Sequence, residues 1–302
     1  VTQSDAPIAA LDVGSNTIRL VAARPRDGGL ETVLDLGTFV RLGFGVDRTG
    51  VLDEGRVEHA VSTIVALART ARDAGVAEIL AVATSAVRDA RNGPAFVDRV
   101  RAAADVDLRI VSGEREAELT FIGATFGMTI AGPTLVVDLG GGSGEIIAAN
   151  ADQLLWGRPL PIGSGRMTER FVSGDPPGRL EIDALHAHVR ALLAGLPALE
   201  ARAAVFAGGT ARRLPVLLGK EASSANLTVA EIDGALEVLL TMDAAEVVSR
   251  YAIEPERAQV LPAGCAVLAA IAEHYGVQTS RIATTGIRQG MLVERLRELG
   301  RL

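Results

Sequence analysis

The sequence predicts an α/β protein of two halves built on the same plan, and three observations lead there. A segment near the start, Ile8-Ala-Ala-Leu-Asp12-Val-Gly14-Ser15-Asn16-Thr17-Ile-Arg-Leu-Val-Ala22, has a counterpart in Leu135-Val-Val-Asp138-Leu-Gly140-Gly141-Gly142-Ser143-Gly144-Glu145-Ile-Ile-Ala148. Each is an apolar run ending in Asp, then a turn of small residues, then a second apolar run. Behind each, short apolar runs alternate with helical periodicity, the pattern of parallel strands joined by helices. Finally, 302 residues at 48% hydrophobic suffice for two separate cores. Two such acidic turns facing each other would line a cleft suited to phosphate and a divalent metal.

The elements follow in order. Residues 8–23 and 133–149 read as antiparallel hairpins, with β-branched and aliphatic residues flanking small-residue turns. Residues 30–36 add a third strand to the first sheet and 153–160 a third to the second. Across 53–74, Val57, Ala60, Val61, Ile64, Val65, Leu67 and Ala68 recur at close to 3.6 residues, and Gly75 is a plausible stop. A strand at 78–83, a helix near 93–104, a strand near 107–111 and a helix from Ser112 to about Phe126 complete the first half. In the second, helices are expected near 164–172 and 179–194, with a buried strand at 203–207. Gly208-Gly209-Thr210 then opens a helix. Residues 228–275 read as wholly helical, 281–285 as a last strand and 286–299 as a last helix. The boundary near 127–133 is short, which favours two tightly coupled domains, 1–127 and 128–286, over beads on a linker.

Composition narrows the partners. A net charge of −7 gives no overall field to attract polyanions, so a phosphate ligand would need local arginines. With Cys265 alone, neither an intramolecular disulfide nor a cysteine zinc site can form, and Cys265 reads as a core residue. No stretch reaches the ~18 apolar residues of a membrane helix, and no basic-then-apolar leader is visible. A cytoplasmic protein without membrane or nucleic-acid partners is expected.

Glycines at 140–142 lack Cβ, so their backbone can approach a ligand and take positive φ, and successive N–H groups can converge on an anion. Gly14, Ser15, Asn16 and Thr17 offer a similar rim with hydroxyl donors. The plain alternative is a pair of tight hairpin turns. Asp12 and Asp138 would end their strands at the site, where Mg²⁺ is the natural partner and Glu145 is within reach through water. Otherwise the two aspartates simply accept turn N–H bonds. Arg166, Arg212, Arg213 and Arg288 are candidates for carrying a polyanion, though each reads more readily as a surface arginine. His59, His186, His188 and His274 show no metal spacing, and Trp156 reads as packing.

Five segments carry a resemblance: Ala10-Leu-Asp-Val-Gly-Ser-Asn-Thr17, Ala83-Thr-Ser-Ala-Val-Arg88, Val111-Ser-Gly-Glu-Arg-Glu-Ala117, Val137-Asp-Leu-Gly-Gly-Gly-Ser143 and Gly286-Ile-Arg-Gln-Gly290. Together they resemble the exopolyphosphatase / guanosine pentaphosphate phosphohydrolase (Ppx/GppA) family, in its order and over nearly the whole chain. The resemblance implies two ribonuclease-H-like (actin-like ATPase) domains flanking an active-site cleft, with the final helix, 287–302, packing back on the first. It implies that Glu116 is the catalytic base; without it, Glu114, Glu116 and Glu118 could not be told apart. Arg88 falls where the family has a phosphate-binding arginine, unless it simply pairs with Asp89 or a neighbour. Gly208, Gly209 and Thr210 match a turn that contacts phosphates in the wider superfamily.

The expected activity is release of terminal orthophosphate from inorganic polyphosphate. Its expected parts are Glu116 as base; Asp12, Asp138 and Glu145 for Mg²⁺, with another divalent ion or a supporting monovalent cation as alternatives; and the two turns with Arg88 for phosphate. Guanosine pentaphosphate hydrolysis, within the stringent response, uses the same residues. The twin acidic turns would also suit a sugar-kinase-like enzyme or a non-catalytic sensor that binds polyphosphate or an alarmone. A homodimer is implied by the resemblance. Longer members carry a helical C-terminal domain, and this sequence reads as a two-domain short form without it.

Overall fold

Alternation along the first strand organises everything around it. The computed structural model describes residues 6–151, 153–201, 203–221 and 226–302. These divide into two compact units, one of residues up to Gly127 with Thr285–Leu302, the other within Met128–Thr284. In the first, β1 (Ile8–Val13), β2 (Thr17–Arg26) and β3 (Gly29–Phe39) form an antiparallel run. After α1 (Val46–Thr49) and α2 (Glu54–Asp73), β4 (Glu78–Ala83) pairs parallel with β1. Then come α3 (Ser85–Asp89), α4 (Gly93–Ala104), β5 (Leu108–Ile110), which pairs parallel with β4, and α5 (Gly113–Thr125). Sheet order is β3-β2-β1-β4-β5. Ala9, Leu11 and Val13 of β1 join one core with Ile64 and Leu67 of α2 and Phe96 and Val100 of α4. Fully burying a side chain of that size contributes about 1.5–3 kcal/mol. Asp53 caps α2 by accepting from the Arg56 N–H.

The second unit repeats the plan. It runs β6 (Pro133–Leu139), β7 (Gly144–Asn150), β8 (Gln153–Leu160), α6 (Ser164–Phe171), α7 (Arg179–Leu193), β9 (Ala203–Ala207), α8 (Gly208–Ala211) and α9 (Leu214–Leu217). It continues with β10 (Asn226–Thr228), α10 (Val229–Leu239), α11 (Ala244–Tyr251), α12 (Pro255–Ala258), α13 (Leu261–His274) and β11 (Thr279–Ile282). The order β8-β7-β6-β9-β11 matches that of the first sheet, with β10 added antiparallel at the edge. In each sheet the second strand of the hairpin run is antiparallel to its neighbours, and the remaining inner pairings are parallel. This is the ribonuclease-H-like arrangement, used twice. Helix α13 is buried from Leu261 to Ala272 and forms the axis of the second core.

The last helix, α14 (Ile287–Glu298), belongs to the first unit. Its Ile287, Met291, Leu292 and Leu296 cover the other face of β1, meeting Ile8 and Ala10, and Leu119 of α5. Helices α5 and α14 approach closely because both carry glycine at the crossing. A Cβ at Gly290 would overlap the Leu119 backbone, and one at Gly123 the Gly286 carbonyl.

Three expectations need correction. The stretch 228–275 is four helices, opened by the capping box at Thr228 and interrupted by the capping box at Asp243 and by the left-handed Ala252 at φ 52°. The last strand is Thr279–Ile282 rather than 281–285, because Ser280 is buried with its hydroxyl donating to the Leu227 carbonyl, 3.1 Å away. The third strand of the first sheet runs from Gly29 to Phe39, pairing along all of β2.

Candidate active site

Each unit presents its own group of candidate residues. In the first, Asp12 is the penultimate residue of β1 and the turn closes with the Gly14 N–H donating to the Thr17 carbonyl (3.1 Å). The outward carbonyls of the turn are covered by the chain leaving β3. Asn16 accepts from the N–H groups of Val40 and Arg41, and Ser15 from that of Gly43, all at 2.8 Å. Gly43 sits so close that a Cβ there would lie 2.8 Å from the Ser15 Cβ.

Arg88 is on α3, directly after β4. Its Nη1 donates to Glu116 Oε2 at 2.8 Å and to the Val111 carbonyl at 3.1 Å, with Asp89 at 3.9 Å from Nε. Glu116 lies in the first turn of α5, which Ser112 caps by accepting from the Arg115 N–H (3.1 Å). Of the three neighbouring glutamates, Glu114 and Glu118 are exposed and Glu116 is 7% exposed. A buried carboxylate requires a partner, and Arg88 supplies one.

Asp12 has a partner too. Arg288 of α14 places Nη1 3.2 Å from Asp12 Oδ2, and the two side chains are 13% and 15% exposed. Arg288 is therefore not the surface arginine that the sequence suggested. Arg19 stands directly across the β1–β2 pair from Asp12, but it lies over Gly37 and pairs with Asp35 at 2.7 Å.

In the second unit, Asp138 is the penultimate residue of β6 and the turn closes with the Gly140 N–H donating to the Ser143 carbonyl (3.0 Å). None of Gly140, Gly141 and Gly142 takes a positive φ, contrary to the expectation from sequence. The turn is instead closely covered by the chain that follows β8. The start of α6 lies on the turn: the Ser164 N–H donates to the Gly140 carbonyl (2.9 Å) and the Arg166 N–H to that of Gly141 (3.0 Å). The Ser164 hydroxyl also reaches Gly140 O at 3.2 Å, and a Cβ at Gly163 would overlap the backbone of Gly141 and Gly142.

Across the β6–β7 pair, Asp138 faces Glu145. Directly opposed cross-strand residues have Cβ atoms about 4.5–5.5 Å apart, and like charges there repel. Glu145 is 2% exposed and accepts from the Ser143 hydroxyl at 2.9 Å. Two opposed carboxylates suit a hard divalent ion such as Mg²⁺, which takes one or two carboxylates and completes its shell with water and phosphate. Among the described residues no group of three or more His, Cys, Asp or Glu is placed to hold a metal. The donor set therefore fits a substrate-completed Mg²⁺ site rather than an all-protein cage.

The turn after β9 adjoins this pair. Gly208 has φ +94°, and a Cβ there would overlap the Leu139 carbonyl and lie 2.8 Å from Asp138 Oδ1. Thr210 is 4% exposed, packed against Gly264 of α13. Arg257 of α12, which sequence reasoning missed, lies over Gly209 so closely that a Cβ would overlap its guanidinium. Arg257 and Arg213 both pair with Glu254, at 3.4 and 2.8 Å. Burial alone would raise the Glu254 pKa, but its own backbone hydrogen bond and the two arginines bring it below the usual range. Nothing in the spacing around Arg257 marks it, because only the return of α12 to the β9 turn brings it there.

The remaining candidates stay away from this chemistry. Cys265 is fully buried, with its thiol pushed up by burial. His188 packs on Phe171, His274 on Tyr275, and Trp156 against the second core. Burial pushes the His186 imidazole below its usual value. Among the described residues no helix is long and apolar enough to cross a membrane.

Residues 21–299 match the pattern that defines the Ppx/GppA phosphatase family. "Exopolyphosphatase 1" of Mycobacterium tuberculosis is 31% identical over 96% of this chain and 88% of that protein. The "Guanosine-5'-triphosphate,3'-diphosphate pyrophosphatase" of Pseudoalteromonas atlantica is 26% identical over 94% of this chain but 57% of that protein. The crystal structure of the Aquifex aeolicus Ppx/GppA family member superposes with a TM-score of 0.81 at 26% identity, covering 97% of this chain and 98% of that one.

Proposed function

The chain belongs to the Ppx/GppA phosphatase family, and from that premise we propose that it is an exopolyphosphatase, releasing terminal orthophosphate from inorganic polyphosphate. The relatives named for phosphoanhydride hydrolysis support the reaction class. The observation that carries the mechanism is the 2.8 Å pair of Arg88 and Glu116. It sets a guanidinium for phosphate beside a carboxylate for water.

Phosphoryl transfer asks the protein for position and charge more than for covalent chemistry. In the proposed reaction Glu116 orients a water and accepts its proton as the water oxygen bonds to the terminal phosphorus. The phosphoanhydride bond breaks, and the bonding electrons leave with the oxygen of the shortened chain. Arg88 has five N–H donors, so it can hold Glu116 through Nη1 and still present others to the terminal phosphate. Gly14, Ser15, Asn16, Thr17, Gly140, Gly141, Gly142, Ser143, Gly208, Gly209 and Thr210 are assigned to phosphate contact through backbone and hydroxyl donors. Asp138 and Glu145 would hold Mg²⁺, which supplies neutralising charge to phosphate oxygens when bound.

Polyphosphate is preferred over a guanosine nucleotide on the sequence identity of the relatives. The exopolyphosphatase is 31% identical to this chain and the guanosine pyrophosphatase 26% identical, each over more than nine-tenths of it. Guanosine pentaphosphate hydrolysis is the second reading, because it needs the same base, cation and arginine.

The test is phosphate release from short polyphosphate, long polyphosphate, guanosine pentaphosphate and ATP, with Glu116→Gln beside the wild type. Polyphosphate should be the best substrate, and Glu116→Gln should lower kcat by about 10²–10⁴-fold, the range for a positioned general base. Unchanged turnover in Glu116→Gln would remove the base from Glu116. A clear preference for guanosine pentaphosphate would replace the first reading by the second.

A further inference from the structure

Resting on the phosphatase reading above, we propose that Arg288 is a positioning residue of the active site. It is the chain's own counter-charge for Asp12, so that the first-unit turn meets phosphate as a neutral pair and not as a bare carboxylate or a metal ligand.

The register makes the need visible. Asp12 and Asp138 occupy the same place in their hairpins, yet Asp138 faces Glu145 and Asp12 faces Arg19. Arg19 is engaged elsewhere, with Asp35 at 2.7 Å on β3. The cation that reaches Asp12 comes instead from α14, as Arg288 Nη1 at 3.2 Å. Both side chains are more than four-fifths withdrawn from water, where a pair interacts far more strongly than on an open surface. A divalent ion approaching Asp12 would meet a charge of its own sign. A polyphosphate approaching the turn would meet a carboxylate already neutralised.

Placement of Arg288 is not slack. The crossing at Gly123, Gly286 and Gly290 fixes α14 against α5. Arg115 pairs with Glu294, and Arg295 with Glu78 of β4 at 3.0 Å. The guanidinium is thus delivered to Asp12 by a helix held at several points along its length.

The test compares Arg288→Gln, Arg288→Lys, Asp12→Asn, Asp138→Asn and the double variant Asp12→Asn/Arg288→Gln. Arg288→Gln should raise KM for polyphosphate about 10-fold with kcat nearly unchanged, since it exposes an anion to an anion. Arg288→Lys should recover part of that loss. The double variant should bring KM back to within about 3-fold of wild type, because it removes the uncompensated charge along with its partner. It should also unfold at a higher temperature than Arg288→Gln. Mn²⁺ affinity, read by electron paramagnetic resonance without substrate, should stay within about 2-fold in Asp12→Asn and fall about 10-fold or more in Asp138→Asn. A double variant no better than Arg288→Gln in both KM and unfolding temperature would overturn the proposal. So would loss of Mn²⁺ affinity in Asp12→Asn equal to that in Asp138→Asn. If wild type releases no phosphate from polyphosphate, the proposed substrate fails, while the Mn²⁺ and unfolding measurements still decide the role of Arg288.

Discussion

The hairpins β1–β2 and β6–β7 share backbone, register and place in their sheets, and they differ in the charge opposite the aspartate. Asp12 faces Arg19 and is ion-paired to Arg288, whereas Asp138 faces the buried Glu145. Both turns are covered from behind by the chain that follows the third strand, Val40–Gly43 in one unit and Gly163–Arg166 in the other. The difference teaches that duplication of a fold conserves the cradle more readily than the charge inside it. One copy has its cation built in from a distant helix, and the other sets two acids opposite each other, the pair we propose for Mg²⁺.

The largest effect should come from breaking the acidic copy. Asp138→Asn should lower kcat by about 10²–10³-fold, several kcal/mol of lost charge stabilisation. Mg²⁺ at 100 times its Kd should stabilise the wild-type protein by about 2.7 kcal/mol. That gain should vanish in Asp138→Asn and Glu145→Gln and persist in Asp12→Asn. Thermal unfolding with and without Mg²⁺ reads it, and loss of the gain in Asp12→Asn would erase the distinction between the copies.

An intermediate effect tests the covers. Gly163→Ala places a Cβ on the backbone of Gly141 and Gly142, and Gly43→Ala places one beside the Cβ atoms of Ser15 and Ala86. Overpacking of this kind costs about 1–3 kcal/mol. Gly163→Ala should be the more damaging, because backbone yields less than side chains, and denaturant unfolding ranks the two. Equal loss would mean that the covers are interchangeable.

The smallest effect concerns acid. Burial holds the folded-state pKa of His186 below its unfolded value, assisted by the charge of Arg190, with Glu273 and Asp183 acting the other way. A lowered folded pKa means that this contribution to stability is present above about pH 6.5, the ordinary value. It is lost as pH falls through the folded value. The unfolding temperature of wild type should therefore drop more between pH 7.5 and 5.5 than that of His186→Gln. An equal drop in the two proteins would remove His186 as the source.

Much of this was legible in the sequence where the cause is local. The two Asp-ended hairpins, the strand at 78–83 and the helix at 93–104 follow from periods of 2 and 3.6 and from small residues at the turns. The short strand β10 and the break at Ala252 were missed, since a three-residue edge strand has no period and Ala carries no signal for a left-handed cap. Residue spacing alone left Glu114, Glu116 and Glu118 equivalent; burial and the contact with Arg88 separate them.

Periodicity and turn residues determine that this chain is a twofold α/β protein with acidic glycine turns, because those properties act between neighbours along the chain, and the family motifs mark it as a phosphatase. Which cation answers which acid is decided in three dimensions. Arg288 reaches Asp12 from the other end of the sequence, and Arg257 lies over Gly209 only because α12 returns to the β9 turn. Charge pairing depends on distance in space and on exclusion of water, and packing sets both.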